Sequence, residues 1–435
     1  MELKNALKRR SYEALTPYRG KEWEKMLNEC GLLDKYERVV EGLRHGFHLG
    51  IPVVNTTFTP PNHRSVKRYA EAFQTIVQQE LKTQRYLGPC TAQEMEQLIG
   101  LFQSSPISLI PKAGRPGKFC AIHNFSHPYE PKGSVNSINT HISTEEFPCT
   151  WGMFSTIWLL VARLPPSSQV SIRDVAEAYR TIPAHPNQWP GLVVKLGDDN
   201  SYAINTCNDF GLVSGGGAYG MVADAELDIF RRQGMGPASR WVDDHFFVRI
   251  LWTHLAEYNA KRKKWCGEIK VNGGHIQERS RIWYKGKPLA SRHAEEFDED
   301  MEVELRDLTT ERGANSEAEP FCYNDDDIDQ LSAKLGTIWE KSKTVHFQAI
   351  VPFLGLSWDL DRCTVSLLEE KQAKYLHAIK EWKSREQHTL EQVQGLYGKL
   401  LHTTLVIPKG RAYLTKLESM LGTFNDRPFV LHHAP

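Results

Sequence analysis

Hydrophobic and polar positions follow a helical period through the first hundred residues. Apolar side chains recur every three or four positions in residues 21–30 and 65–81, which is the spacing of an amphipathic helix. Thr91 is followed three residues later by Glu94, a capping-box pattern that opens a further helix. The pattern therefore predicts a helical N-terminal region over residues 1–100.

The next part of the chain has the pattern of strands and turns. Residues 108–126 contain two short apolar runs separated by the basic, glycine-rich segment 112–118, which predicts a long β-hairpin. Further along, one apolar run carries Asp174, and a pair of apolar runs carries Asp243 and Asp244 at the turn between them. We therefore expect these aspartates to lie on or beside strands.

Helices and strands are both predicted in the rest of the chain. A helix is expected over about residues 217–232. Residues 351–360 predict a strand that turns into a second strand at 364–367, and helices follow at about 369–385 and 389–404. This mixture indicates an α+β fold.

An acidic segment interrupts the pattern. Residues 295–329 contain fifteen acidic residues against two arginines, and residues 290–330 show no sustained apolar period. Such a composition is typical of a flexible surface insert. The rest of the chain carries 51 basic and 38 acidic residues, so the formal net charge of zero hides a basic body. A body of this charge is suited to a polyanion such as nucleic acid.

Cysteine content and hydropathy indicate the cellular environment of the protein. The eight cysteines include no C-x-x-C pair, which argues against a zinc module or a disulfide framework and fits a reducing compartment. No apolar run approaches the roughly 20 residues of a membrane span. The N-terminus also lacks the apolar core of a secretion signal. We therefore predict an intracellular protein without a membrane segment, with nucleus and cytoplasm both open.

The three aspartates are the strongest chemical signal. Carboxylates on buried strands are costly unless a cation neutralises them, so Asp174, Asp243 and Asp244 predict a metal site. Two Mg²⁺ ions bridged by such carboxylates can activate an attacking hydroxyl and stabilise a leaving phosphate oxygen, which is polymerase chemistry. The alternative is that Asp243 and Asp244 mark a solvated hairpin turn, where aspartate is common.

A series of short motifs follows in order between about residues 100 and 420. They are the segments 110–119, 124–128, 134–136, 174–179, 182–186, 210–212, 241–244, 353–355 and 390–417. In this order they resemble the motifs of reverse transcriptases, most closely those of DIRS-like retroelements and related fungal element-derived proteins. The resemblance implies a right-hand polymerase with fingers, palm and thumb, whose antiparallel palm sheet is similar to that of an RNA-recognition motif.

The resemblance also implies a division of the chain. After the helical N-terminal region, it places fingers over 101–165, palm over 166–289, the acidic insert over 290–330, the end of the palm with the primer grip over 331–362, and thumb- or connection-like helices over 363–435. The implied activity is RNA-directed DNA polymerisation. Its partners would be an RNA or DNA template with a primer and deoxynucleoside triphosphates, and the oligomeric state is open.

Individual roles follow from the same resemblance. Asp174 and Asp243 would be the main ligands of two Mg²⁺ ions, for which Mn²⁺ can substitute, and Asp244 would assist. A lysine would protonate the departing pyrophosphate: Lys343, with Lys341 as a near alternative. The remaining implied contacts are nucleotide binding by Lys112, Arg115, Lys118, Tyr179, Phe210 and Gly211, and placement of the primer 3′ end by Phe353, Leu354 and Gly355.

Simpler interpretations of these residues stay open. Taken alone, Tyr179 is more typical of a core aromatic residue. Lys112, Arg115 and Lys118 at the hairpin tip are also typical of a solvated turn. The sequence also departs from the family: Cys120 stands where an arginine is usual, Asp209 replaces a frequent proline, and Trp241 replaces the commoner tyrosine. Cys120 and the acidic segment predict reduced or lost activity. They motivate a second hypothesis, a catalytically silent nucleic-acid-binding protein that retains the palm fold, and a two-metal nuclease is a third.

Overall fold

The structure, a computed structural model, describes residues 2–112, 115–148, 151–197, 199–272, 275–278, 281–288, 294–297, 299–313, 320–426 and 432–433. Its helices are α1 Glu2–Tyr12, α2 Gly20–Glu29, α3 Glu37–His45, α4 Arg64–Arg68, α5 Ala70–Lys82, α6 Ala92–Ile99, α7 Phe154–Ala162, α8 Gly215–Arg232, α9 Leu255–Asn272, α10 Leu308–Glu311, α11 Asp325–Leu335, α12 Glu369–Lys383, α13 Leu390–Thr403 and α14 Thr415–Asp426. Its strands are β1 Tyr86–Cys90, β2 Ile107–Pro111, β3 Phe119–His123, β4 Gln169–Asp174, β5 Val193–Lys195, β6 Tyr202–Asn205, β7 Ala238–Trp241, β8 Asp244–Arg249, β9 His275–Glu278, β10 Arg281–Pro288, β11 Ala294–Phe297, β12 Val345–Gln348, β13 Ile350–Phe353, β14 Leu356–Asp359, β15 Thr364–Leu367, β16 Gln387–His388 and β17 His432–His433. Helices and several small antiparallel sheets are thus mixed along the chain, which confirms the α+β class at this level.

A four-stranded antiparallel sheet lies at the centre of the fold, with the strand order β12-β4-β8-β7. The alternation of side chains along β8 lets both faces of the sheet be covered. Phe247 lies 5.0 Å (ring centroids) from Phe230 of α8. On the other face, Phe246 lies 5.0 Å from Phe353 of β13. The central strands are therefore buried between a helix and a second, three-stranded sheet of order β13-β14-β15.

Helices form where the period predicts them, but the N-terminal region is not helical throughout, because β1 lies within it and pairs with β6. Helix α2 buries Trp23, whose indole nitrogen donates to the carbonyl of Leu335 at the end of α11 (2.9 Å). The capping box of α6 is confirmed, because Thr91 and Glu94 satisfy each other's backbone N–H groups. The helix predicted over 65–81 is divided into α4 and α5 at Tyr69, whose backbone leaves the helical region (φ −119°, ψ 44°).

The predicted hairpin is confirmed as β2 and β3, which pair from Ile107↔His123 at the base to Pro111↔Phe119 at the tip. Two residues of the tip, 113 and 114, lie outside the described residues. The strand predicted over 351–360 is instead a hairpin, β13 and β14. The chain reverses at Leu354 and Gly355, which both have positive φ (54° and 72°), and glycine adopts this conformation at little cost. The C-terminal helices α12 and α13 are confirmed within two residues at each end.

Some residues of the acidic segment are buried against the body, contrary to the expectation of a surface insert. Asp300 is buried and accepts a hydrogen bond from the buried guanidinium of Arg262 (2.8 Å). Tyr323 is also buried and donates to the carbonyl of Val248 in the central sheet (2.7 Å). The expectation is wrong for these two residues: the guanidinium of Arg262 neutralises Asp300, and the carbonyl of Val248 satisfies the hydroxyl of Tyr323. Residues 290–293, 298 and 314–319 of the segment lie outside the described residues.

Two environmental features can be read from the described part of the chain. None of its helices is both long and apolar enough to cross a membrane. Every cysteine except Cys149 lies in this part of the chain, and all seven of them have free thiols.

Candidate metal centre

The three aspartates predicted to bind metal converge at one end of the central sheet. Strand β4 ends at Asp174 and β8 begins at Asp244, and the two residues are paired across the ladder. Asp243 belongs to the two-residue turn between β7 and β8, and its carbonyl accepts a hydrogen bond from the backbone N–H of Val175 (3.0 Å). One carboxylate oxygen from each aspartate lies within 4.8 Å of the others. This donor set suits a hard divalent cation, which prefers carboxylate oxygens.

The turn that carries Asp243 is strained. Val242 has φ +55°, although β-branched residues avoid this region because Cβ clashes with the backbone. A non-glycine residue held in such a conformation costs on the order of 1–3 kcal/mol. Surrounding contacts must therefore hold the turn in place.

Lys343 supplies the nearest positive charge. It ends a short 3₁₀ helix, Lys341–Lys343, that is anchored beside the site because the N–H of Glu340 donates to the carbonyl of Asp174 (2.7 Å). The Lys343 ammonium donates to the carboxylate of Asp174 at 2.7 Å. Of the two candidate lysines, Lys343 rather than Lys341 makes this contact.

One lysine does not offset three crowded carboxylates. Burial raises the pKa of Asp243, and the charge of Asp174 raises it further. Burial, a hydrogen bond with Asp174 and the two neighbouring charges together raise the pKa of Asp244 from 3.8 to about 7. Burial would lower the pKa of Lys343, but its hydrogen bond to Asp174 and the three carboxylates raise it. The site thus has excess negative charge, as a cation site requires.

The raised pKa of Asp244 predicts how Asp244→Asn changes stability with pH. In the unfolded chain this carboxyl ionises near 3.8 and in the metal-free folded chain near 7, so the unfolded state loses its proton first and stability falls as pH rises between these values. In EDTA, Asp244→Asn should therefore raise the melting temperature at pH 8 and leave it nearly unchanged near pH 4. Thermal unfolding of both proteins at the two pH values checks this. An equal gain at both values would mean that charge repulsion is not the cause.

Replacing Lys343 by methionine should strengthen cation binding. The ammonium lies on Asp174, so a divalent ion has to compete with it. An ion pair that is half exposed is worth no more than about 1 kcal/mol, which limits the gain to about fivefold. Calorimetric titration with Mg²⁺ or Mn²⁺ measures it, and Lys341→Met, two residues away, is the matched control. Unchanged or weaker binding by Lys343→Met would contradict a competition between lysine and metal.

Tyr179, five residues after Asp174, belongs to a group of aromatic and glycine residues. Tyr179, in the 3₁₀ helix Ala178–Thr181, has its ring centroid 4.4 Å from that of the exposed Phe210. On its other side Tyr179 stacks with Tyr219 of α8 (5.8 Å). Gly211 follows Phe210 at a position where a Cβ atom would lie 1.8 Å from the carbonyl oxygen of His123. Only glycine fits there, so the loop at Phe210 and the base of the β2–β3 hairpin are in direct backbone contact.

The basic hairpin residues face two different regions. Lys112 and Lys118 line a cleft of about 600 Å³ together with Cys120 and Phe210. Arg115 is within electrostatic reach of Glu340, in the loop beside Asp174. Hydrogen bonds from Ser342 lower the pKa of Glu340 most, and the charges of Lys343 and Arg115 lower it further. The three aspartates do not line the cleft itself.

The predicted primer-grip residues form the turn between β13 and β14. Phe353 is buried in the core, whereas Leu354 and Gly355 lie at the reversal. The carbonyl of Leu354 is 3.0 Å from Nε2 of His402 in α13, and Nδ1 of the same imidazole is 3.2 Å from the hydroxyl of Tyr375 in α12. One histidine therefore joins the turn to both C-terminal helices.

Sequence reasoning missed a buried polar network at the base of the β2–β3 hairpin. Asp209 accepts hydrogen bonds from His123 (3.0 Å), Asn205 (3.2 Å) and Arg180 (3.4 Å). His123 also contacts the hydroxyl of Tyr86 (3.2 Å). Burial opposes ionisation of Asp209, but His123 and Arg180 outweigh it and hold its pKa below the ordinary value. The departure from proline at this position was the available signal, and its partners could not be inferred from it.

No protein-family model matches the chain, and no curated protein matches it. Solved structures that resemble it include a foamy viral protease-reverse transcriptase in complex with an RNA/DNA hybrid. It is 12% identical with a TM-score of 0.49, and the match covers 99% of this chain and 43% of that one. A dRH form in complex with double-stranded DNA is 13% identical with a TM-score of 0.49, covering 97% and 55%. The foamy viral protein in complex with double-stranded DNA is 13% identical with a TM-score of 0.45, covering 98% and 71%. The chain thus spans less than half of the first of these proteins.

Proposed function

We propose that the protein is an RNA-directed DNA polymerase that adds deoxynucleotides to a primer 3′ end. The convergence of Asp174, Asp243 and Asp244 on adjacent strand ends, with Lys343 in contact, is the observation that carries the proposal. In this proposal β4, β7, β8, β12 and α8 form the palm. The β2–β3 hairpin belongs to the fingers, and α12 and α13 belong to the thumb or connection.

The three carboxylates fit a pair of Mg²⁺ ions, or Mn²⁺ in their place, because their oxygens are close and their charge is uncompensated. When bound, the ions would supply activation of the primer hydroxyl and stabilisation of the leaving phosphate oxygens. Asp174 and Asp243 would be the main ligands and Asp244 an assisting one. Lys343 would hold a proton on Nζ and deliver it to the departing pyrophosphate.

The incoming nucleotide would lie between the aromatic group and the hairpin. The Tyr179 ring, fixed between Phe210 and Tyr219, would exclude a 2′-hydroxyl and so favour deoxynucleotides. Lys112, Arg115 and Lys118 would attract the triphosphate as cations. Cys120 lines the cleft beside them and cannot replace the bidentate contact of an arginine. Phe210 and Gly211 would pack against the nucleotide.

The primer would be held by the turn at Phe353, Leu354 and Gly355. Because this turn is tied to α12 and α13 through His402, its position would depend on the C-terminal helices. Recognition of template and primer would rest on phosphate contacts and helix shape, with little base reading.

Primer extension tests the proposal. An oligo(dT)-primed RNA template is incubated with deoxynucleotides and Mg²⁺ or Mn²⁺, beside the Asp243→Ala/Asp244→Ala variant. Extension by the parent that disappears in the variant is expected. Salt-dependent binding of primer–template without extension would support a catalytically silent binding protein instead. Shortening of the primer would support a nuclease.

A further inference from the structure

The turn that presents Asp243 is held from beneath by two buried basic side chains. Arg240, at 1% exposure, donates from Nη1 to the carbonyl of Val242 (3.0 Å). Its Nη2 donates to α8, reaching the carbonyl of Gly220 (3.0 Å) and the carboxylate of Asp224 (2.5 Å). The guanidinium therefore joins the turn to the helix that packs under the sheet.

His245 holds the next peptide unit. Its side chain is fully buried, and its Nδ1 lies 3.3 Å from the carbonyl oxygen of Asp243. A carbonyl can only accept, so this contact places the imidazole proton on Nδ1. Its Nε2 faces a carboxylate oxygen of Glu226 in α8 at 3.9 Å.

Glu226 lies behind His245. It is fully buried, and its other carboxylate oxygen accepts a hydrogen bond from the hydroxyl of Thr337. The facing atoms, Oε2 of Glu226 and Nε2 of His245, make no hydrogen bond to each other or to any other described residue. A buried acid and a buried imidazole are costly to place in a core. Because they lie directly behind the turn that carries Asp243, we expect them to have a role in positioning it.

Two consecutive carbonyls are thus fixed, that of the Val242–Asp243 peptide by Arg240 and that of the Asp243–Asp244 peptide by His245 together with the backbone N–H of Val175. Val242 is in the strained positive-φ conformation, so without these contacts the turn would relax toward other geometries. Any rotation of the Val242–Asp243 peptide would swing the Asp243 carboxylate away from Asp174.

We infer that Arg240 and His245 are positioning residues that hold the strained turn so that Asp243 can share a cation with Asp174, and that Asp224 anchors Arg240 to α8. The inference rests on the proposed metal-dependent function. It goes beyond that function because neither basic residue is among the proposed metal ligands or nucleotide contacts. Side chains that orient ligands indirectly commonly affect metal affinity or activity by about 10- to 100-fold.

The test compares His245→Phe with His245→Asn. Phenylalanine fills the space but has no donor, whereas the asparagine amide offers an N–H near the position of Nδ1. Mn²⁺ affinity is measured by electron paramagnetic resonance in the absence of nucleic acid, and kcat and KM for the deoxynucleotide are measured by primer extension. We expect His245→Phe to lose about tenfold or more in Mn²⁺ affinity and kcat, with KM little changed. His245→Asn should recover most of the loss.

Three outcomes separate this inference from the proposed function. Equal Mn²⁺ affinity in the parent and His245→Phe, or equal loss in both variants, would overturn the positioning role. A parent that neither binds Mn²⁺ nor extends a primer would overturn the proposed function and the inference with it. If His245→Phe does not fold, the comparison is made in a Val242→Gly background. There glycine relieves the strain, so Val242→Gly/His245→Phe is expected to bind Mn²⁺ nearly as tightly as Val242→Gly alone, and a loss of about tenfold or more would overturn the positioning role.

Discussion

Replacing Asp174 by asparagine should abolish primer extension and weaken cation binding by at least about 100-fold. Side chains that only contact a metal ligand already change metal affinity by about 10- to 100-fold. Asp174 would be a ligand itself and is the most buried of the three carboxylates, so the loss should be at least as large. Asparagine has the same shape, and its neutral amide removes one of three repelling charges. The melting temperature in EDTA should therefore not fall. Calorimetric titration with Mn²⁺ and primer extension measure the two losses.

Asp361→Asn is the matched control for this change, because Asp361 is exposed in the turn between β14 and β15. It should bind Mn²⁺ and extend primers like the parent. An Asp174→Asn protein that is folded and retains a tenth or more of the parent activity would exclude the three aspartates as the catalytic metal site.

Replacing Asp209 by alanine should destabilise the fold by about 3 kcal/mol. Breaking a buried ion pair costs on the order of 3–5 kcal/mol, because the remaining charge stays buried. The lower end applies because Arg180 keeps a second carboxylate partner in Glu80 (2.6 Å). Urea unfolding at pH 7 measures the difference, with Asp361→Ala as the exposed control. A loss below about 1 kcal/mol, which is ordinary for a single substitution, would contradict the prediction.

The pH dependence of this effect provides a second measurement. The folded-state pKa of Asp209 lies below 3.8, its value in the unfolded chain. Its stabilising contribution is therefore complete above about pH 4 and is lost as pH falls through the folded-state pKa. The gap in stability between the parent and Asp209→Ala should be constant from pH 5 to 7 and should narrow in more acidic buffer.

The parts of the structure that the sequence predicted depend on neighbours in the chain. The helices α12 and α13, the β2–β3 hairpin and the strand location of the aspartates all follow from local period, capping and turn residues. Asp174 and Asp243 could be grouped because carboxylates inside apolar runs require compensation. That they converge to within 4.8 Å is the confirmed part of this prediction, whereas the catalytic roles stay proposals.

The parts that were missed depend on partners far away in the chain. The burial of Asp300 requires Arg262, and the position of Asp209 requires His123, 86 residues earlier. From composition alone such acidic residues are expected to be exposed to solvent, because a partner far away in the sequence cannot be identified until the fold is known. The resemblance placed a turn at residues 353–355, but the strand pattern over 351–360 did not show the reversal, because leucine rarely adopts the positive φ that Leu354 has there.

The imidazole of His402 has a consequence for large-scale motion. Because it contacts Tyr375 of α12 and the carbonyl of Leu354 from its place in α13, it ties the two helices to the tip of the β13–β14 hairpin. A swing of these helices must carry the tip with them or break that contact. Such a swing would also have to separate Phe353 at the tip from Phe246 of β8, so the contact of His402 couples the C-terminal helices to the strand that begins with Asp244.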